Sequence, residues 1–133
     1  MYKNNIILTI LLFIWQLPQV LTGLVGLAIF HNAKLYTNPH NGVTVISVTI
    51  PRLFGGACFS SGPFIFLCEN ASERTYLHET GHSKQSIYLG FLFHLVVSIP
   101  SICRFWYRKL AKKSKEWYES GYPENWANRL GGI

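Results

Sequence analysis

The motif His78-Glu79-Thr80-Gly81-His82 has the residue types and spacing that zinc chemistry requires. Histidines four residues apart share one face of a helix, so both imidazoles can bind one metal ion. Glu79 lies about 100° further round the helix, where its carboxylate can act as general base on a zinc-activated water. Two neutral imidazoles, a carboxylate base and a free coordination position are the parts of a zinc hydrolase site. The alternative is a polar first turn of a buried helix, in which His and Glu serve as caps.

A catalytic zinc site needs a third protein ligand, and the chain contains few candidates. It has no Asp, so a carboxylate ligand must come from Glu69, Glu73, Glu79, Glu116, Glu119 or Glu124. Glu69 and Glu73 precede the motif on the same helix or its cap and cannot easily fold back onto the metal. Glu116, Glu119 and Glu124 therefore remain.

The other histidines are weaker candidates. On a continuous helix, His94 would lie about 18 Å beyond His82, in a direction more than about 100° away. His31 and His40 fall in predicted loops and stay open as alternatives, although single loop histidines usually have no metal role.

Glu124 is the favoured third ligand because it opens a short predicted helix, Glu124 to Leu130. Pro123 stands at its start, and Gly131-Gly132 provides its stop signal. Asn128 is one turn further on the same face, where it could hydrogen-bond a zinc-ligating imidazole and fix its tautomer. In the alternative interpretation, Glu124 only complements the helix dipole.

The motif followed at a distance by Glu-x-x-Ala-Asn resembles the gluzincin pattern of thermolysin-type metallopeptidases. The resemblance implies His78, His82 and Glu124 as ligands of Zn2+, with Glu79 as general base. The runs 78–90, 99–102 and 124–132, together with Trp15-Gln-Leu-Pro-Gln19, also resemble small bacterial membrane proteins.

The chain departs from the gluzincin pattern in two respects. Asn128 stands where the family usually has an acid, and the chain is far shorter than thermolysin-type enzymes and lacks their substrate-binding lobe. Site-2-type intramembrane proteases also carry H-E-x-x-H, but their third ligand is an Asp, which this sequence lacks.

Composition indicates a membrane-associated protein: 49% of the 133 residues are hydrophobic and 14% are charged. The uncharged run over residues 6–30 predicts an N-terminal transmembrane helix as anchor. Pro18, between Gln16 and Gln19, predicts a kink in it. The alternative is a cleaved signal peptide, with Lys3 before the apolar run and Gly26-x-Ala28 as cleavage site.

A basic cluster directly follows a second apolar segment, residues 87–102. It comprises Arg104, Arg108, Lys109, Lys112, Lys113 and Lys115. An anionic membrane surface explains this cluster more simply than nucleic acid, which we do not expect as a partner. The charge bias predicts the inner (cytoplasmic) membrane, with residues 31–133 in the cytoplasm. A shared zinc requires that 87–102 not cross the bilayer, since His82 and Glu124 would then lie on opposite sides.

The remaining pattern predicts an α+β domain over residues 31–133. Residues 42–50, 57–60 and 63–68 read as strands of a small antiparallel sheet, after a loop at 31–41 and with a turn at Gly55-Gly56. The motif helix is expected to run from Asn70, with Glu73 in a capping box, to about Ile99 before Pro100. Cys58, Cys68 and Cys103 are expected to be reduced.

The leading functional prediction is a membrane-anchored zinc metallopeptidase acting on a peptide or protein. Strand 63–68 could hold an extended peptide by edge pairing, and Tyr122 or Tyr76 could donate to the oxyanion. The alternative is a non-catalytic membrane accessory protein with a structural or vestigial metal site. The sequence leaves the oligomeric state open.

Overall fold

A computed structural model describes residues 5–52 and 57–133 of the chain. The class is α+β, as predicted. The helices are α1 (Ile6–Trp15), α2 (Leu17–Phe30), α3 (Glu73–Leu89), α4 (Ile99–Ala111), α5 (Lys115–Ser120) and α6 (Glu124–Gly131). The strands are β1 (Ala33–Thr37), β2 (Thr44–Ile50), β3 (Phe59–Ser61) and β4 (Phe64–Cys68). The predicted turn at Gly55-Gly56 lies outside the described residues.

The sheet is mixed, with strand order β1-β2-β4-β3, so the prediction of an antiparallel sheet is wrong. β2 pairs with β4 in parallel, from Ile46 opposite Phe64 to Ile50 opposite Cys68. The β3–β4 hairpin reverses the chain, and β4 then enters between β2 and β3. All five residues of β4 are buried, which is the pattern of a strand covered on both faces. β4 is therefore an inner strand and cannot offer the peptide-binding edge predicted for it.

Strand β1 replaces part of the loop predicted at residues 31–41. It pairs antiparallel with β2 over the whole of Ala33–Thr37. Its side chains are mostly exposed, so no apolar alternation marks it in the sequence. Pairing with β2 decides its conformation, because edge strands owe their formation to the neighbouring ladder more than to propensity.

Helices cover the two faces of the sheet. On one face, Val20 of α2 packs with Val48, Phe64 and Phe66, and Gly23 lies directly against the Phe64 side chain. On the other face, Ile65 and Leu67 pack beside Tyr76 of α3. The sheet is thus the layer against which α3 and its motif are placed.

The N-terminal transmembrane helix predicted over residues 6–30, with a kink at Pro18, is not a single helix. α1 and α2 are bent by 95°. Pro18 contributes no backbone N–H, and Gln16 and Gln19 are buried at the break, where Ser86 donates to Gln16 (2.6 Å) and Gln19 donates to Ser86 (3.1 Å). Within 5–52 and 57–133, no individual helix has the length and apolar character of a membrane span. Two bent pairs, α1–α2 and the α3–α4 segment, reach these criteria only when their halves are combined.

The motif helix also differs from its prediction at both ends. Its N-cap is Ser72, which accepts a hydrogen bond from the Thr75 N–H (3.2 Å), whereas Asn70 adopts φ 62° in the preceding turn. It ends at Leu89 because Gly90 has φ 55°, and a Cβ there would lie 2.2 Å from the Trp15 ring. A 3-10 helix (Gly90–Leu92) follows, and after a 119° bend a π-helix (His94–Ser98) leads into α4.

Candidate metal centre

Helices α3 and α6 approach each other closely enough to bring their polar side chains together. A Cβ on Gly81 would lie 1.9 Å from the Ala127 carbonyl oxygen, and one on Gly131 would lie 2.1 Å from the Leu77 carbonyl oxygen. Buried Asn38, from the turn between β1 and β2, joins the two helices by donating to Thr80 Oγ1 (2.6 Å) and Gly131 O (2.9 Å). The glycines therefore set the helix spacing, and Asn38 holds it.

This packing brings His78, His82 and Glu124 together. Oε2 of Glu124 lies 2.9 Å from Nε2 of His78 and 3.0 Å from Nε2 of His82. The three candidate ligand atoms lie within 4.8 Å of one another. Glu124 is fully buried, and the two imidazoles are nearly so. The three residues chosen from the sequence thus converge on one point.

A hydrogen bond at Nδ1, the ring nitrogen that does not face Glu124, fixes the orientation of each imidazole. Nδ1 of His78 lies 2.6 Å from Oδ1 of Asn128, the contact expected from its position one turn after Glu124. Nδ1 of His82 lies 2.7 Å from Oε1 of Gln85, whose own Nε2 donates to Pro123 O (3.1 Å). Because amide oxygens only accept hydrogen bonds, both Nδ1 atoms carry protons and both Nε2 atoms face Glu124. Gln85 was not singled out in the sequence, although its position three residues after His82 on the helix indicates such a contact.

The second oxygen of Glu124 is held from α4 and α5. Ser101 Oγ donates to Oε1 of Glu124, and Tyr118 Oη donates to the same oxygen at 2.9 Å. Neither residue was predicted, because nothing in the local pattern of α4 or α5 indicates contact with α6. Oε1 is thereby occupied, and Oε2 alone faces the histidines.

The charges of the group perturb its pKa values. Burial opposes the charged form of His78, but the hydrogen bond to Glu124 and the charges of Glu79 and Glu124 outweigh it and raise the pKa of His78 to about 9. Burial likewise opposes ionised Glu124, yet the hydrogen bonds and charges of His78 and His82 hold its pKa well below the usual range. Burial, followed by the charge of Glu124, raises the pKa of Tyr118. Glu124 is therefore a carboxylate at neutral pH.

Glu79 lies beside the three converging residues and does not join them. Its Oε2 accepts a hydrogen bond from Ser60 Oγ of β3 (2.5 Å), and the same hydroxyl contacts the Glu79 carbonyl oxygen (2.9 Å). The side chain is buried, and its charge helps to raise the pKa of His78. Ser60 was not singled out in the sequence, since only tertiary packing brings β3 to this turn of α3.

The alternative ligands considered from the sequence lie elsewhere. Among the described residues, the only group of three or more His, Cys or Glu side chains close enough to share a metal is His78, His82 and Glu124. His94 contacts Ser98 (2.9 Å), while Glu119 pairs with Arg74 (2.8 Å).

The two tyrosines proposed as oxyanion donors have other partners. Tyr122 Oη donates to Val96 O (2.7 Å), and the Tyr76 ring packs on Tyr36 with a centroid distance of 4.6 Å. The tyrosine hydroxyl that the fold brings to the group is that of Tyr118.

The geometry can be compared with that of bound zinc. A tetrahedral ion with bonds of about 2 Å has ligand atoms roughly 3.3 Å apart. The separations from Glu124 Oε2 are 2.9 and 3.0 Å, and all three ligand atoms lie within 4.8 Å of one another, so the side chains would shift slightly on binding an ion. The donor set of two imidazoles and one carboxylate also suits zinc.

Comparisons of the chain with protein families, curated proteins and solved structures found no match in any of the three.

Proposed function

We propose that the protein is a membrane-associated zinc hydrolase of the metallopeptidase type, with His78, His82 and Glu124 as ligands. The observation that carries the proposal is the convergence of three electron-pair donors on one point. With both Nδ1 atoms facing amide oxygens, both Nε2 atoms meet one carboxylate oxygen, and such an arrangement needs either protons on these nitrogens or one metal cation. A zinc ion supplies the positive charge at a single position and satisfies all three donors.

The chemistry of the proposal is hydrolysis with Glu79 as general base. Bound zinc supplies Lewis acidity, polarising the carbonyl to be cleaved and lowering the pKa of a coordinated water. Glu79 follows His78 on the same helix and is held by Ser60, so its carboxylate has a fixed orientation beside the ligands. It would accept the proton of the attacking water and deliver it to the leaving amine.

An extended peptide is the substrate class that fits the surroundings of Glu79. β3 is an edge strand of the sheet, and its Ser60 touches Glu79 directly. A peptide paired with the outer edge of β3 would therefore run past the general base.

Membrane association is part of the proposal because apolar side chains cover the outside of α1 and α2. Ile6, Ile10, Leu21 and Val25 are each more than half exposed. Side chains of this kind are stable when buried in lipid. The excess of Lys and Arg after residue 31 favours the inner membrane, with the metal centre on the cytoplasmic side.

A non-catalytic function is the second candidate, and burial of the group favours it. Only 4% of Glu79 and none of Glu124 is exposed. Structural metal sites are closed, whereas a catalytic site must admit substrate. In this case the metal would fasten α3 to α6 in a membrane accessory protein.

Glu79→Gln distinguishes the two candidates, with Glu69→Gln in the exposed turn after β4 as matched control. The detergent-purified proteins are analysed for zinc and assayed for cleavage of a fluorogenic peptide library. The hydrolase proposal expects about one zinc per chain in both variants and a loss of cleavage of about a hundredfold or more only in Glu79→Gln. His82→Ala and Glu124→Ala should lose the metal. Cleavage that survives Glu79→Gln would sink the enzymatic proposal, and a wild type that never binds zinc would sink both.

A further inference from the structure

Helix α4 carries its apolar side chains on the outside of the molecule. Ile99, Ile102, Trp106 and Leu110 recur at helical spacing and are each more than half exposed. In a water-soluble protein, the apolar stripe of an amphipathic helix faces the core. The stripe of α4 therefore needs a covering that the described residues do not provide.

The opposite face of α4 reaches the candidate metal centre. Ser101 donates to Oε1 of Glu124. Arg104 donates to the carbonyl oxygens of Tyr118 (2.8 Å) and Trp117, and its guanidinium lies 3.9 Å from the Trp117 ring centre. One helix thus holds a candidate ligand on its inner side and exposes an apolar stripe on its outer side.

The charges around α4 indicate that an anionic lipid surface covers the apolar stripe. Residues 80–115 contain no Asp or Glu, whereas exposed Lys109, Lys112, Lys113 and Lys115 lie at the C-terminal end of α4 and just beyond it. A basic cluster beside an apolar stripe matches anionic headgroups lying over acyl chains. A second copy of the chain fits less well, because this stretch offers no acidic side chain to pair with the cluster.

We propose that α4 docks on an anionic lipid surface and that docking raises the zinc affinity of the group formed by His78, His82 and Glu124. This inference rests on the proposed zinc site. Docking fixes α4, and with it Ser101 and the Arg104 contacts that hold the backbone of Tyr118. The hydroxyls of Ser101 and Tyr118 both donate to Oε1 of Glu124, which leaves Oε2 for the metal. Hydrogen-bond partners of metal ligands typically change metal affinity by about 10- to 100-fold.

The docking step is tested with a fluorophore on Cys103, an exposed residue of α4, in a Cys58→Ser/Cys68→Ser background. The full chain is reconstituted in nanodiscs of phosphatidylcholine alone, or of equal parts phosphatidylcholine and phosphatidylglycerol. We expect quenching by bromolipids several-fold stronger in the anionic discs. Equal quenching in both discs would overturn the selection of anionic lipid. A label that stays in water, or disulfide cross-linking between the Cys103 residues of two unlabelled copies, would overturn docking on lipid.

The coupling step is tested by measuring zinc dissociation constants in the same two kinds of disc. Ser101→Ala is compared with wild type and with Ser120→Ala, an exposed serine of α5 whose hydroxyl bonds Trp117 O (2.9 Å). We expect anionic discs to tighten zinc binding about tenfold in wild type and Ser120→Ala, and much less in Ser101→Ala. Zinc ions also accumulate at an anionic surface, but this effect is the same for all three proteins and cancels in the comparison.

The outcomes separate this inference from the proposed function. Zinc that binds equally well in both discs would overturn the coupling and leave the zinc site standing. An equal gain in Ser101→Ala and wild type would also overturn it, since the gain would then come from the surface potential alone. A wild type that binds no zinc in either disc would overturn the zinc site and the inference with it.

Discussion

Gly81→Ala tests the helix approach that assembles the metal centre. The added Cβ would lie 1.9 Å from the Ala127 carbonyl oxygen, where ordinary contacts begin at 3.4 Å. The obstructing atom belongs to the backbone of α6, so the two helices must part by about 1.5 Å. Overpacking of this kind costs about 1–3 kcal/mol in the free energy of unfolding. For a chain of this size, the cost lowers the melting temperature by roughly 4–12 °C.

The same movement displaces Glu124, which lies one turn before Ala127. Metal–ligand distances tolerate deviations of only about 0.2 Å, so we expect zinc affinity to fall by well over tenfold. The control is Ser83→Ala on the same helix, because the buried Ser83 hydroxyl has no hydrogen-bond partner and its removal leaves none unpaired. Thermal unfolding and competitive zinc titration of both variants provide the assay. A Gly81→Ala protein that matches wild type in both measurements would refute the close approach of α3 and α6.

Three further predictions concern stability. The raised pKa of His78, about 9 against 6.5 in the unfolded chain, stabilises the metal-free protein fully below pH 6.5, and this contribution is lost as pH rises through 9. The lowered pKa of Glu124 stabilises the metal-free protein above the unfolded value of 4.5, and this contribution is lost in acid. Chemical denaturation should therefore show a loss of stability on both sides of neutral pH. His78→Phe should abolish the alkaline loss and only reduce the acid loss, because His82 still lowers the pKa of Glu124. Zinc at about a hundred times its dissociation constant should raise the free energy of unfolding, measured by chemical denaturation, by about 2.7 kcal/mol. EDTA should abolish this gain. Asn38→Ala should lower the free energy of unfolding by about 1–3 kcal/mol, because it leaves two buried acceptors without a donor. A change near zero would argue against the role of Asn38 in joining α3 and α6.

Much of the candidate site follows from short-range patterns. His78 and His82 converge because a helix repeats every 3.6 residues, and the same period places Asn128 one turn after Glu124. Because the sequence has no Asp, a carboxylate ligand must be one of six Glu residues. Pro18 with two glutamines correctly indicated a break between residues 6 and 30, although the 95° bend was not foreseen.

The predictions for β1, β4 and the end of the motif helix were wrong because contacts with other segments decide their conformation. β1 forms because β2 offers a free edge, and β4 is an inner strand because the β3–β4 hairpin folds back against β2. The motif helix stops at Gly90 because the Trp15 side chain occupies the space beside it. In each case the deciding partner lies outside the segment itself, so no pattern within the segment records it.

The sequence by itself determined the helix with two histidines on one face, the carboxylate inventory and the division into apolar and basic segments, since these follow from composition and helical period alone. Only the tertiary structure decided that Glu124 meets both imidazoles and that Ser101 and Tyr118 hold the other carboxylate oxygen. The physical reason is that these contacts join four helices, and their distances depend on how closely the glycines of α3 and α6 let the backbones approach.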